Sequence, residues 1–310
     1  MTTTPLTQSG PSMANEPRRV RVIYNPSAGT RPRLPAESTD AQGIRELLGR
    51  HGLVADVVTT ESEAEARQAV RDAVTDGCRI VVAAGGDGTF DLVAGELLDG
   101  DVAIGILPLG RAMNVARSLS IPRELEQAAA ILAAGQQRVI DVGVGGQRIF
   151  YEIASIGLSA ELLGLAHAFD KGHHGSIVEL FRVLTRFRRT KLRLQLDGRD
   201  LEVTAMMLVV ANGPYTGLGL TLAPDARLDD GLLDIRIFRR FSRLELLRHF
   251  WAIAFGRRAY APQVIERRAR RVIVETPGLA CRADANDLGR TPIEISVRPG
   301  VLRVIAPPAG

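Results

Sequence analysis

Five consecutive residues, Gly85-Gly86-Asp87-Gly88-Thr89, set one carboxylate and one hydroxyl among three glycines. Glycine lets a backbone pass close to a bound group, and free amides at the start of a helix suit an anion such as phosphate. An ordinary tight strand-to-helix turn has the same composition when only its Gly-Gly pair is counted; the full string is more specific. Asn25-Pro26-Ser27-Ala28-Gly29 offers turn residues with hydrogen-bonding groups, and Asp229-Asp230-Gly231 pairs two carboxylates. The last is also what an Asp-Gly turn between strands looks like. His173-His174 lacks further ligands at metal spacing and reads as a loop. Cys78 and Cys281 stand alone, which excludes a disulfide framework and a zinc knot and fits a reducing cytoplasm.

These groups need elements to hold them. Ile80 to Ala84 is a short apolar run stopped by glycine, the pattern of a buried parallel strand, and helical spacing follows it. Asp87 or Thr89 is positioned to cap that helix. Arg19 to Tyr24 alternates as a first strand and delivers the Asn25–Gly29 loop to its C-terminal end, where open α/β sheets bind ligands. Further strands over 53–59 and 101–107 alternate with helices over 41–52, 61–77, 112–119 and 124–134. This predicts an α/β domain, a Rossmann-like parallel sheet covered by helices, over 18–137. From Arg138 the pattern changes to strands over 139–144, 148–156, 191–196, 201–211, 232–238, 271–275, 293–298 and 301–307. This predicts a mostly antiparallel β-sandwich over 138–298, with helical inserts near 158–189 and 242–258.

The chain has 310 residues, 45% hydrophobic and 24% charged, as for a folded two-domain protein. Residues 1–17, rich in Thr, Ser, Pro and Gly, read as a disordered tail without a secretory pattern. No apolar run approaches the length of a membrane span. Charge is uneven: residues 1–137 carry 13 Lys and Arg against 17 Asp and Glu, and residues 138–298 carry 25 against 18. A basic second half suits an anionic partner. Ile177 to Leu194 sets apolar residues at helical spacing among six basic ones, which fits either an anionic membrane surface or a helix packed on its own domain. No nucleic-acid reader motif is present, so nucleic acid is not expected as a partner.

Taken together, the motifs resemble the diacylglycerol kinase catalytic family, within the larger superfamily that holds NAD kinases and 6-phosphofructokinases. The resemblance runs from about Arg19 to Pro307. It rests on Asn25–Gly29, Gly85–Thr89, Ile106–Gly110, Ala154–Leu158, the run Ala211-Asn212-Gly213-Pro214-Tyr215-Thr216-Gly217-Leu218-Gly219, Ala223–Ala226, Leu228–Asp234 and Arg298–Val304. This order of motifs favours the lipid-kinase branch over NAD kinase. The resemblance implies ATP in an interdomain cleft, Mg²⁺, and a lipid hydroxyl, diacylglycerol-like or sphingoid, that attacks the γ-phosphate. It implies nucleotide loops at Asn25, Ser27, Gly29, Gly85, Gly86, Gly88, Thr89, Gly110, Arg111 and Asn114, with Asp87 toward the metal. A carboxylate on a glycine turn serves Mg²⁺ because that ion keeps waters and takes few protein ligands. It further implies a structural metal or substrate-positioning role for Asp229 and Asp230, and a tail over 299–310 that returns to the first domain. A lipid substrate implies a cytoplasmic protein in peripheral contact with an anionic membrane; the oligomeric state, a homodimer included, stays open.

The chain also departs from the family pattern. The third loop commonly reads Gly-Thr-Gly-Asn-Asp, where this chain has Gly110-Arg111-Ala112-Met113-Asn114. The C-terminal Asp-Gly-Glu, whose Glu is the expected base, aligns with Asp284-Ala285-Asn286. Asparagine takes up no proton as a carboxylate does and holds a hard cation less strongly, while Arg111 adds a charge able to grip phosphate. Three readings follow. Asp284 or the neighbouring Asp287 replaces the base, or transfer relies on positioning and electrostatics, or the protein binds nucleotide and lipid with little turnover. A soluble-substrate kinase of the NAD kinase type draws on Gly85–Thr89 alone.

Overall fold

The computed structural model describes residues 18–26, 40–158, 160, 189–217, 219–239 and 264–308. Strands β1 (Arg18–Tyr24), β2 (Leu53–Thr59), β3 (Ile80–Gly85) and β4 (Ala103–Pro108) lie in the order β2-β1-β3-β4, all parallel. All six positions of β3 and all six of β4 are buried, so both faces of this sheet must be covered. Helix α1 (Ala41–Arg50) packs with α5 (Leu125–Ala134), and α2 (Glu63–Thr75) packs with α3 (Asp87–Leu97), two separate pairs. The helix expected over 112–119 is shorter, α4 (Asn114–Ser118). Ala112 and Met113 stay in the loop, and Met113 precedes the helix in the left-handed region at φ 52°.

The second half of the chain is built of antiparallel strands. One layer runs β14 (Val264–Ala269), β13 (Leu233–Phe238), β10 (Met207–Ala211), β7 (Ile153–Gly157), β16 (Ala280–Ala283), β17 (Asn286–Arg290). The facing layer holds β15 (Arg271–Val274), β8 (Thr190–Leu196) and β9 (Arg199–Ala205), and Leu194, Val272 and Val274 pack with Leu208, Val210 and Ile235 into one core. The long strand β18 (Ile293–Ile305) pairs with β15 through its first half. It also lies antiparallel to β5 (Gln137–Gly145) over both halves, from Ile295 to Arg298 and from Leu302 to Ile305, and meets β4 in parallel at Val304 and Ile104.

Several expected elements are drawn differently. The two strands expected over 293–298 and 301–307 are one strand, whose ladder shifts register between Arg298 and Leu302. The strand expected over 148–156 is broken into β6 (Arg148–Phe150) and β7, with Tyr151 and Glu152 in a bend. The one expected over 201–211 is broken at Met206 into β9 and β10. Strands β14, β16 and β17 were not expected. Their charged and glycine residues hide the alternation, which β14 and β17 tolerate at the two edges of the layer. No helix among the described residues is long and apolar enough to cross a membrane. The helical inserts, the His173-His174 pair and all but the end of the Ile177–Leu194 stretch lie outside the described residues.

Candidate active site

The glycine turn does not cap its helix as expected. Gly86 stands at the N-cap of α3 without a side-chain bond to the helix, while its carbonyl accepts from the Thr89 and Phe90 amides, both at 3.0 Å. The Asp87 carboxylate leaves the helix altogether. Its Oδ2 accepts from the Met113 amide and its Oδ1 from the Asn114 amide, each at 2.9 Å. The second glycine loop is thereby locked to the third. The same loops meet through their backbones, since the Gly85 carbonyl accepts from the Leu109 and Gly110 amides, both at 3.0 Å. A Cβ on Gly110 would stand 2.5 Å from the Gly86 Cα, so only glycine permits this approach. Arg123 fastens the far side of the loop by donating to the Arg111 carbonyl at 2.8 Å and the Gly110 carbonyl at 3.0 Å. Gly88, by contrast, is exposed, and a Cβ there would meet nothing within 4 Å. The open side of the turn is at Gly88.

Asn114 carries the connection into the second half of the chain. It is buried, and its Nδ2 donates to Glu152 Oε2 at 3.1 Å and to the Gly217 carbonyl at 2.8 Å. Glu152 is only 8% exposed and lies in the bend that breaks the expected strand. The bend has an identifiable cause. The Asp284 carboxylate accepts three consecutive backbone amides there, from Tyr151 at 2.8 Å, Glu152 at 3.2 Å and Ile153 at 3.0 Å. Asp284 itself is held in the left-handed region at φ 48°, an uncommon conformation for a non-glycine residue. The Glu152 carbonyl then accepts from the Asn212 and Gly213 amides, both at 2.9 Å. Asn212, fully buried, donates from its side chain to the Asp141 and Tyr151 carbonyls.

Burial dominates the electrostatics of these acids. It raises Asp87 above the ordinary range, against the pull of the Met113 and Asn114 amides. It raises Asp284 to about 7 in spite of three amide donors, with Asp91 adding repulsion. Glu152 is raised well above the ordinary range by burial first and then by the neighbouring charges of Asp284 and Asp87, against the Asn114 amide and the Thr216 hydroxyl. Perturbed acids gathered in one place mark functional sites.

The remaining sequence candidates fall as follows. Asn25 ends β1 beside β3, its amide donating to the Ala84 carbonyl at 3.2 Å; Ser27 and Gly29 lie outside the described residues. Arg111 is exposed and lines, with Met113, Arg117, Ile121, Arg123 and Gly219, a cavity of about 370 Å³ beside the third loop. Asn286 opens β17 and pairs with Ala283 across a hairpin, while Asp287 is exposed and accepts from the Gly289 amide at 2.7 Å. Asp229 is drawn into ion pairs with Arg138 at 2.9 Å and Arg227 at 3.2 Å. Burial works to raise Asp229, and the two guanidiniums outweigh it and hold the carboxyl below the ordinary range. Asp230 accepts from the Leu232 amide at 3.1 Å and closes the Asp-Gly turn. Among the described residues no group of three His, Cys, Asp or Glu is placed to hold a metal by itself. Glu152 was not picked out from sequence, although it is a lone charge inside the apolar run Ile149-Phe150-Tyr151-Glu152-Ile153-Ala154.

Known families match both the parallel α/β unit with its interlocked glycine loops and the antiparallel unit that follows it. The diacylglycerol kinase catalytic domain matches residues 19–144, and the YegS C-terminal NAD kinase beta sandwich-like domain matches residues 157–306. A diacylglycerol kinase of Mycobacterium tuberculosis is 31% identical, over 97% of this chain and 99% of its own length. A protein of Enterobacter sp. named "Probable lipid kinase YegS-like" is 28% identical, over 96% and 98%. A solved diacylglycerol kinase structure from Bacillus anthracis shares the fold with a TM-score of 0.69 at 18% identity, covering 94% of this chain and 97% of that one. The chain belongs to the family of diacylglycerol kinases and YegS-like lipid kinases, and is a kinase-type phosphotransferase.

Proposed function

We propose that the chain transfers the γ-phosphate of ATP, with Mg²⁺, to the hydroxyl of a diacylglycerol-like or sphingoid lipid in the cleft between its two halves. The observation that carries this reading is the Asp87 carboxylate, which fixes the third loop to the glycine turn and leaves Gly88 facing open space. Amides at the start of α3 then cradle the phosphates, with Asn25, Thr89 and Arg111 around them. Phosphoryl transfer asks chiefly for positioning and for neutralisation of phosphate charge. Mg²⁺ would arrive on the nucleotide phosphates and meet one or two carboxylates, Asp87 first. When bound, it would offset phosphate charge in the transfer. Asp229, already paired with two arginines, serves this reading as a strut between Arg138 and Arg227, not as a ligand. Asp284 has its carboxylate taken up by three amides, so its part is to shape the bend at Glu152. Peripheral contact with an anionic membrane, through the basic second half, would bring the lipid to the cleft.

The test is transfer of labelled γ-phosphate from ATP and Mg²⁺ to a vesicle panel containing diacylglycerol or a sphingoid base. Label in one lipid names the substrate. Absence of label in every lipid, with ATP still bound, would leave a nucleotide- and lipid-binding protein.

A further inference from the structure

Glu152 is a buried carboxylate with no cation among the described residues to pair with it. The partners of its carboxyl group are neutral: the Asn114 amide at 3.1 Å and the Thr216 hydroxyl. Two further acids, Asp87 and Asp284, repel it. Burying an ionisable acid this way costs stability, so a glutamine of the same shape would be the more stable choice. On the other side of the contact, Asn114 is 1% exposed and its Oδ1 has no hydrogen-bond partner among the described residues. A buried, unsatisfied amide oxygen is a second cost at the same spot. Both costs fall on one contact that joins the third nucleotide loop to the second half of the chain.

We propose that Glu152 and Asn114 act as one acid–amide pair, in which the bend before β7 supplies the carboxyl group that the third loop lacks at position 114, and that phosphate transfer depends on this carboxyl and not on which side carries it. Glu152 is here a positioning residue. Its carboxyl group orients the Asn114 side chain, which in turn faces the Gly217 carbonyl and follows the backbone amide held by Asp87. The inference rests on the kinase reading above and adds a residue of this chain to it.

The test uses four full-length chains: unmodified, Asn114→Asp, Glu152→Gln, and both together. Each is measured for transfer to the lipid that labels best and for its melting temperature. Glu152→Gln should lower kcat by about 100-fold with little change in KM for ATP, yet leave the melting temperature unchanged or higher, because it replaces a buried acid that has no cation beside it among the described residues. Asn114→Asp should lower both activity and melting temperature by setting two carboxylates face to face. The double variant should recover activity to within about tenfold of the unmodified chain; recovery is incomplete because the Gly217 carbonyl loses its donor. A merely structural contact predicts the opposite for Glu152→Gln, a lower melting temperature in step with activity. Full activity in Glu152→Gln, or a double variant no better than its worse parent, would overturn the proposal. If the unmodified chain labels no lipid, the kinase reading fails separately. Melting shifts that do not add across the four chains would then still support the pair, and additive shifts would overturn it.

Discussion

Asp284 does its work through three backbone amides, and that makes it separable from residues whose side chains face the cleft. It accepts from Tyr151, Glu152 and Ile153 at once, and asparagine tolerates its φ of 48°. Asp284→Asn therefore tests the acceptor chemistry alone. One of its two oxygens becomes an NH₂ pointed at N–H groups, and a lost acceptor of this kind costs about 1–3 kcal/mol. We expect a clear fall in melting temperature together with loss of transfer, since the bend that carries Glu152 relaxes. A variant that melts with the unmodified chain would contradict this role. At this scale much of the site was legible. Asp87, Asn114 and Asp284 all stand where side chains or backbones of the cluster meet. Glu152 was hidden because its neighbours come from distant parts of the sequence. Asp284 is 132 residues away and Thr216 is 64 away, and no local spacing announces either contact.

At the scale of elements, the glycine turn and the third loop form one unit. Two glycines in it have opposite surroundings. Gly110 has the Gly86 Cα where a Cβ would go, at 2.5 Å, whereas Gly88 has open space. Gly110→Ala should therefore push the two loops apart and lower both the melting temperature and ATP affinity. Gly88→Ala, on a helix, should keep the melting temperature within a few degrees and weaken ATP binding by placing a methyl where phosphate lies. Titration of ATP beside thermal melts checks the pair; equal effects in both would contradict the assigned geometry. The turn was readable from sequence because strand β3 and the string Gly85–Thr89 are local. What Asp87 does with its carboxylate was not, since its partners, Met113 and Asn114, lie on another loop. The same holds for strands. Those with apolar alternation were anticipated, while β14 and β17, charged and at sheet edges, carry no such pattern. The break at Tyr151 and Glu152 sits inside an otherwise strand-like run because Asp284, not the run itself, makes it.

Over the whole molecule as described, buried and half-buried acids gather around the junction of the two halves, and they set how stability responds to pH. Asp87, Asp141, Glu152 and Asp284 are all raised, each by burial first. An acid raised in the folded state holds a proton that the unfolded chain gives up. Stability is therefore lost as pH rises from the unfolded values, 3.8 for Asp and 4.5 for Glu, through the folded ones, about 7 for Asp284. The acids held low, Glu65, Glu126, Asp229 and Glu294, act only below that window. The melting temperature at constant ionic strength should be higher near pH 5.5 than near pH 8; a rise across that interval would contradict the assignment. The long strand β18 fits this picture. It belongs to both halves, pairing with β15 at one end, with β4 at the other and with β5 along most of its length.

The central claim is that Asp87 assembles a cleft in which ATP gives its γ-phosphate to a lipid. It is tested most directly by label transfer to diacylglycerol in mixed micelles with Mg²⁺, comparing the unmodified chain with Asp87→Ala and following both by thermal melt. Transfer by the unmodified chain, reduced about 100-fold or more in a variant that still folds, is the predicted result. Equal transfer by the two chains, or none by the unmodified chain to diacylglycerol or a sphingoid base, would contradict it.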